Sequence, residues 1–276
     1  MADPDSLIAR ALAILAESNT MRGDTQSPQS ANITSEFQAQ SPNLALQHRV
    51  LSDGTECPLP VRYFDVQCLV ATFLTELDRA VEAVKGTNLQ VIPQEDGKAV
   101  VKLFCIEYRK TDLGPYNEVG LTVLTTTPSE LIPADYVLNL PVTTELANRA
   151  GREIWGYNKF LATINVNSDS KKFSTFLHDT ENEMIGALEG SRSASVPVPP
   201  ADIITLTLLN GRVIKTLIRV LTPFYASSGD SFTFKVGKSK HPMANNLRTL
   251  ALDEARPVLV DYADPFQALL FPGRAI

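Results

Sequence analysis

The chain has 276 residues, 44% of them apolar and 20% charged, enough to bury the core of one large or two small domains. Its 31 acidic residues outnumber its 25 Lys and Arg, giving a formal net charge of −6. That balance argues against nucleic acid or an anionic membrane surface as the main partner, since both need a basic footprint.

The N-terminus begins MADPDS without a basic n-region, and no apolar run approaches the ~18 residues that span a bilayer. A cytoplasmic protein with no membrane segment is the expectation. Residues 6–17, SLIARALAILAE, suit a helix capped by Asp5 or Ser6. Residues 18–43 are polar and rich in Ser, Gln and Asn, a composition that offers little to bury and reads as a linker or arm. The division expected is an N-terminal helix and arm over 1–57 and one domain over 58–276.

From Arg62 the texture turns β-rich. YFDVQCLVATF reads as a strand, and TELDRAVEAVK as a short helix with Leu77, Ala80, Val81 and Val84 on one face. KAVVKLFCIEYRK and EVGLTVLTT are two strands joined by the Gly-Pro turn TDLGPYN, and DYVLNLPV is another strand. TTELANRAGREIW has helical spacing, with Thr143 or Thr144 as N-cap and Gly156 as its stop. Six further strands follow: FLATINVNS, KKFSTFLHD, EMIGALEG, DIITLTLL, GRVIKTLIRVL and SFTFKVG, with a hairpin turn at Asn210-Gly211-Arg212. A short helix, MANNLRTLAL, and a late strand, ARPVLVDYA, complete the pattern. Strand after strand with few helices favours a large antiparallel sheet curled on itself over a parallel βαβ fold.

Three cysteines (Cys57, Cys68, Cys105) and three histidines (His48, His178, His241) lie apart without metal-ligand spacing. Cys68 and Cys105 sit in apolar runs, as small buried hydrophobes do. No metal or other cofactor is expected.

The sharpest chemical signal is GREIWGYNKFLA, residues 151–162. Lys159 is flanked by Trp155, Tyr157, Phe160 and Leu161. Desolvation disfavours an ammonium, and a free amine in such a setting can attack a carbonyl and form an imine, whose protonated form withdraws electrons from the adjacent carbon. A lysine beside aromatics can equally well extend its head into water, and spacing alone leaves both readings open.

This stretch resembles the signature of the acetoacetate decarboxylase family, approximately Gly-Arg-Glu, two residues, a small residue, an aromatic, then Pro-Lys-Lys-Leu. The resemblance runs back through ADYVLNLPVTTELANRA to LGPYNEVG, where the family has a Tyr-x-Glu turn, and forward to HPMANNLRTLAL and DPFQALLFPG. It covers residues 58 to 276. It implies an α+β, mainly antiparallel β-cone or barrel with a few peripheral helices, a buried apolar cavity, and a homo-oligomer. Lys159 is then the imine-forming residue and Glu118 an acid/base group, with Arg152 and Glu153 structural. Tyr116, Trp155, Asn158, Phe160 and Arg62 are the implied substrate contacts, Arg62 as the cation for a substrate carboxylate.

Three positions depart from the family pattern. Asn158 stands where the family usually has proline, leaving the loop less constrained and able to offer an amide to substrate. Phe160 stands where the decarboxylase has a second lysine, the neighbouring cation that helps activate the first. Leu103 falls where a further active-site glutamate is expected, and Glu107 lies about 13 Å further along the strand. The implied function is an imine-forming lyase acting on a 3-oxo or 2-oxo acid with an apolar substituent. Aldol or dehydration chemistry through the same lysine, and non-catalytic binding of an apolar ligand, are the alternatives.

Overall fold

A computed structural model of the protein describes residues 47–276; the expected N-terminal helix and the linker at 18–43 lie outside the described residues. Seven strands close into a barrel: β3 (Val61–Glu76), β5 (Lys98–Thr111), β6 (Tyr116–Thr126), β7 (Ala134–Asn139), β12 (Ile203–Leu209), β13 (Arg212–Val220) and β16 (Leu259–Leu270). β16 pairs with both β3 and β13, which closes the ring. Every pairing around it is antiparallel except β7 with β12. This mostly antiparallel, closed architecture with few helices agrees with the α+β expectation.

Side chains alternate across the barrel wall. Along β5, Phe104, Ile106 and Tyr108 face inward, while Leu103 and Cys105 face out into a second core. That outer core lies under a four-stranded sheet in the order β15 (Phe232–Val236), β10 (Met184–Ser191), β9 (Lys172–His178), β8 (Thr163–Ser168), and under α3 (Pro242–Thr249). Register shifts in β3 between Tyr63 and Val66 change which face the chain presents, so that Tyr63 and Cys68 both reach the barrel interior.

Helix α2 (Glu145–Trp155) packs against the barrel with Ala147, Gly151 and Trp155, spaced four residues apart, on the interior side. Thr144 is its N-cap residue, but its side chain makes no capping bond. The Thr143 hydroxyl instead accepts the Asn117 amide at 2.9 Å. Gly156 ends the helix as expected, at φ +67°. The turn at Asn210-Gly211 joins β12 to β13 with φ of +51° and +76°.

Two expectations change. Val81 of α1 (Leu77–Ala83) is 50% exposed, because only Ala80 of this short helix is fully buried. A division at residue 57 would also cut through a hairpin, β1 (Gln47–Val50) with β2 (Glu56–Leu59). Leu51 and Cys57 of this hairpin are buried in the same core as Val61 and Trp155. Glu153 of α2 accepts the Ser52 amide at 2.8 Å and the Ser52 hydroxyl, and Arg149 pairs with Asp53. The hairpin is therefore latched to α2, and the folded body begins before residue 58. Short strands at β4 (Gln90–Val91), β11 (Val196–Val198), β14 (Phe224–Ser228) and β17 (Arg274–Ala275) add to the large sheet. No helix among the described residues is long and apolar enough to cross a membrane.

Candidate active site

The barrel interior holds a cavity of about 80 Å³, room for several water molecules. Its wall is aromatic and aliphatic, with Tyr63, Phe104, Tyr108, Tyr116, Trp155 and Tyr157 prominent, and Lys159 and Glu118 project into it. Both are nearly inaccessible, at 6% and 5% exposure, and Lys159 Nζ donates to Glu118 Oε2 in a buried ion pair.

The segment after α2 explains how a lysine comes to be buried here. Residues 157–161 run extended beside the chain leaving β7. The Leu140 amide donates to Asn158 O, Val142 to Phe160 O and Ala162 to Val142 O. Extended backbone sends alternate side chains to opposite sides. Tyr157 and Lys159 therefore point into the cavity, and Asn158 and Phe160 point away from it. The aliphatic stem of Lys159 passes over Gly151, the only residue type that leaves it room there: a Cβ at 151 would overlap Lys159 Cδ and Cε. Trp155 is held by its indole N–H, which donates to Phe271 O at 2.7 Å, and Tyr157 by a 2.9 Å bond between its hydroxyl and that of Thr205.

Glu118 stands on β6 opposite Ile106 of β5. Its second oxygen, Oε1, accepts from the Tyr108 hydroxyl at 3.0 Å. Tyr108 is paired across the hairpin with Tyr116, their rings stacked 4.2 Å apart, and its ring lies 5.0 Å from that of Tyr63. Lys159 Nζ lies 5.9 Å from the ring centroids of both Tyr116 and Tyr157. Burial pushes the Tyr63, Tyr108 and Tyr116 hydroxyls well above 10, with the Glu118 charge adding to the shift, so all three are neutral donors. Burial likewise holds Cys68, in the cavity wall, as a neutral thiol.

The expected site residues thus divide. Lys159, Glu118, Tyr116 and Trp155 meet at one cavity. Asn158 does not reach it: its amide donates to Leu138 O at 2.7 Å on the outer side. Phe160 packs instead on His241, with ring centroids 4.0 Å apart. Arg62 also lies outside the cavity lining, its guanidinium on Asp112 at 2.9 Å. Leu103 faces the outer core and does not line the cavity; Phe104 is the inward residue beside it.

Sequence reasoning missed Tyr108, Tyr63, Phe104 and Gly151. For Tyr108 the signal was present: counting back from the LGPY turn pairs Tyr108 with Tyr116, which sets it diagonally across from Glu118.

The family model described as acetoacetate decarboxylase matches residues 50–201. The chain belongs to the acetoacetate decarboxylase family. No curated protein matches it. Among solved structures it is similar to the acetoacetate decarboxylase from Legionella pneumophila subsp. pneumophila str. Philadelphia 1, at 17% identity and a TM-score of 0.62, over 91% of this chain and 98% of that one. An acetoacetate decarboxylase-like enzyme from Sphingomonas wittichii RW1 is 12% identical with a TM-score of 0.61, over 84% and 99% of the two chains. The enduracididine biosynthesis enzyme MppR complexed with pyruvate is 13% identical with a TM-score of 0.60, over 81% and 93%. At these identities the structures establish the shared fold, and this member of the family has diverged far from them.

Proposed function

We propose that this protein is an imine-forming lyase in which Lys159 attacks the carbonyl of a small substrate carrying an apolar substituent. The observation that carries this reading is the buried ion pair of Lys159 and Glu118, opening onto an aromatic cavity. A lysine placed only for solubility would not be enclosed, and enclosing one needs a paired carboxylate.

The chemistry follows from the pair. Lys159 passes a proton to Glu118, and the free amine adds to the carbonyl carbon. Glu118 returns the proton to the carbinolamine hydroxyl, which leaves as water, and a protonated imine on Lys159 remains beside the Glu118 carboxylate. In the decarboxylase-like course, the carbon–carbon bond to the carboxyl group of a 3-oxo acid breaks and its electrons move into the iminium, giving CO₂ and an enamine. In the aldolase or dehydratase course, an α-proton moves to Glu118 and gives an enamine without loss of carbon. Glu118 serves both courses: it shuttles the proton of imine formation in each, and in the second it is also the base for the α-proton.

Borohydride reduction in the presence of carbonyl compounds, followed by intact mass, tests the reading. Wild type should gain a stable adduct, mapped to Lys159, and Lys159→Ala should gain none. Lys159→Arg should be equally inactive, since a guanidinium does not form the imine. Absence of any adduct across aldehydes, ketones and oxo acids would overturn both courses and leave a ligand-binding protein. Release of CO₂ separates the first course from the second.

A further inference from the structure

The charges in and around the cavity can be counted. Among the described residues that line it, Lys159 and Glu118 are the two that carry charge, and they face each other. Next to the cavity on the same face of the sheet, Thr122 donates to Asp135 Oδ1 at 3.3 Å, and Asp135 pairs with Lys102 at 3.0 Å. Asp261 adds a carboxyl beside that lysine, pushed up to about 6 by burial while Lys102 opposes the shift. Arg62 is held outside by Asp112. Among the described residues, each of these cations therefore already has a carboxylate partner, and Asp261 is a further carboxyl beside Lys102.

A buried site tolerates charge only as pairs. The resting site is one such pair, an ammonium on a carboxylate. A neutral ketone or aldehyde preserves it: Lys159 ammonium, Glu118 carboxylate and a carbonyl become an iminium, the same carboxylate and a water molecule. An oxo acid instead brings a second carboxylate. Before the imine forms, that anion shares the cavity with the net-neutral pair. Afterwards two carboxylates compete for one iminium.

From this we infer that the substrate is an uncharged aldehyde or ketone bearing an aromatic or aliphatic group, rather than an oxo acid. The inference rests on the imine-forming reading above. It makes the aldol or dehydration course the reaction of this site, since a neutral carbonyl has no carboxyl group to lose. The wall suits such a ligand: Phe104, Trp155 and Phe266 supply flat apolar surface, and the neutral, mutually hydrogen-bonded Tyr63 and Tyr116 hydroxyls supply uncharged polar groups for a carbonyl or hydroxyl.

Two matched pairs of probes test it on the full-length protein. Phenylacetone and phenylpyruvate differ by a methyl group in place of a carboxylate. Acetophenone and benzoylacetate differ by the carboxyl group that a decarboxylase removes. Borohydride-trapped adduct on Lys159 is read as a function of probe concentration, with CO₂ release followed for the acids. The expected result is half-maximal trapping by the neutral member of each pair at a concentration lower on the order of a hundredfold or more. Equal or better trapping by phenylpyruvate, or CO₂ released from benzoylacetate at the rate of trapping, would overturn the inference and leave the imine-forming reading standing. No adduct with any of the four, or with short aliphatic aldehydes, would overturn the imine-forming reading and this inference with it.

Discussion

Gly151 and Lys159 occupy one space: the stem of the lysine crosses α2 where the glycine has no side chain, and a Cβ at 151 would overlap Lys159 Cδ and Cε. The glycine of the Gly-Arg-Glu stretch therefore serves the lysine eight residues later, by letting it lie flat on the helix and reach Glu118. Gly151→Ala should separate site from scaffold. Alanine favours the helix by about 1 kcal/mol over glycine, so thermal stability should hold or rise. The lysine must move to make room, and a misplacement of about 1 Å costs on the order of a hundredfold in rate. Borohydride trapping should slow by roughly that factor at unchanged or higher Tm. A normal trapping rate would show that the flexible stem accommodates the methyl group.

Tyr108 and Lys159 grip opposite oxygens of Glu118. When Lys159 becomes an iminium it keeps one of its three N–H groups, while the Tyr108 bond to Oε1 is unchanged. Tyr108→Phe leaves Oε1 buried without a donor, at a cost of about 1–3 kcal/mol, and frees the carboxylate to turn. Lys159 should still be trapped by borohydride. Deuterium exchange at the α-carbon of phenylacetone, followed by NMR in D₂O, should fall on the order of 10- to 100-fold. Exchange at the wild-type rate would remove Tyr108 from any role in holding the base.

Phe160 tests what the linear motif can and cannot say. Its place beside Lys159, where the decarboxylase has a second lysine, suggests a residue that tunes the nucleophile. The extended backbone at 157–161 sends it to the other side, onto His241. Phe160→Lys should therefore leave the pH profile of imine formation unchanged and cost stability through lost packing. A shifted profile would place the new ammonium near the cavity after all. The same alternation explains Asn158, and in β5 it turns Leu103 to the outer core and Phe104 to the cavity.

Much of the fold was legible, because alternation, the Asn210-Gly211 turn and the Gly156 stop are local signals. The pairing of Glu118 with Lys159, 41 residues apart, was legible only through the family motif. What escaped was long-range. β7 pairs with β12 in parallel, and the β1–β2 hairpin belongs to the body because Ser52 meets Glu153, 101 residues away. Nothing within either segment announces its partner.

That latch has a pH signature. Hydrogen bonds from Ser52, side chain then backbone, hold the Glu153 carboxyl below its ordinary 4.5. A depressed carboxylate contributes stability that is present above 4.5 and is lost as pH falls through the lower folded value. Glu153→Gln should therefore lower Tm near neutral pH, and the difference from wild type should shrink below pH 4.5. Circular dichroism melts across that range read the difference directly. A constant offset at every pH would mean that the ionised form of Glu153 contributes nothing to the latch.

Gly156 carries two constraints at once. Its φ of +67° lies in the left-handed region, and a Cβ there would lie 2.8 Å from Leu209 Cβ and 2.9 Å from Leu208 O in β12. The first constraint costs a non-glycine residue about 1–2 kcal/mol. The second adds a collision with backbone that no rotamer relieves. Gly156→Ala should destabilise the protein by more than about 2 kcal/mol, read as a lower urea midpoint at unchanged m-value. Gly211→Ala is the matched control: its φ is +76°, but nothing lies within 4 Å of its absent Cβ. It should show the backbone cost alone. Equal losses in the two variants would mean that β12 moves aside at no cost, and that the close approach of the α2 terminus to β12 does not constrain the segment carrying Lys159.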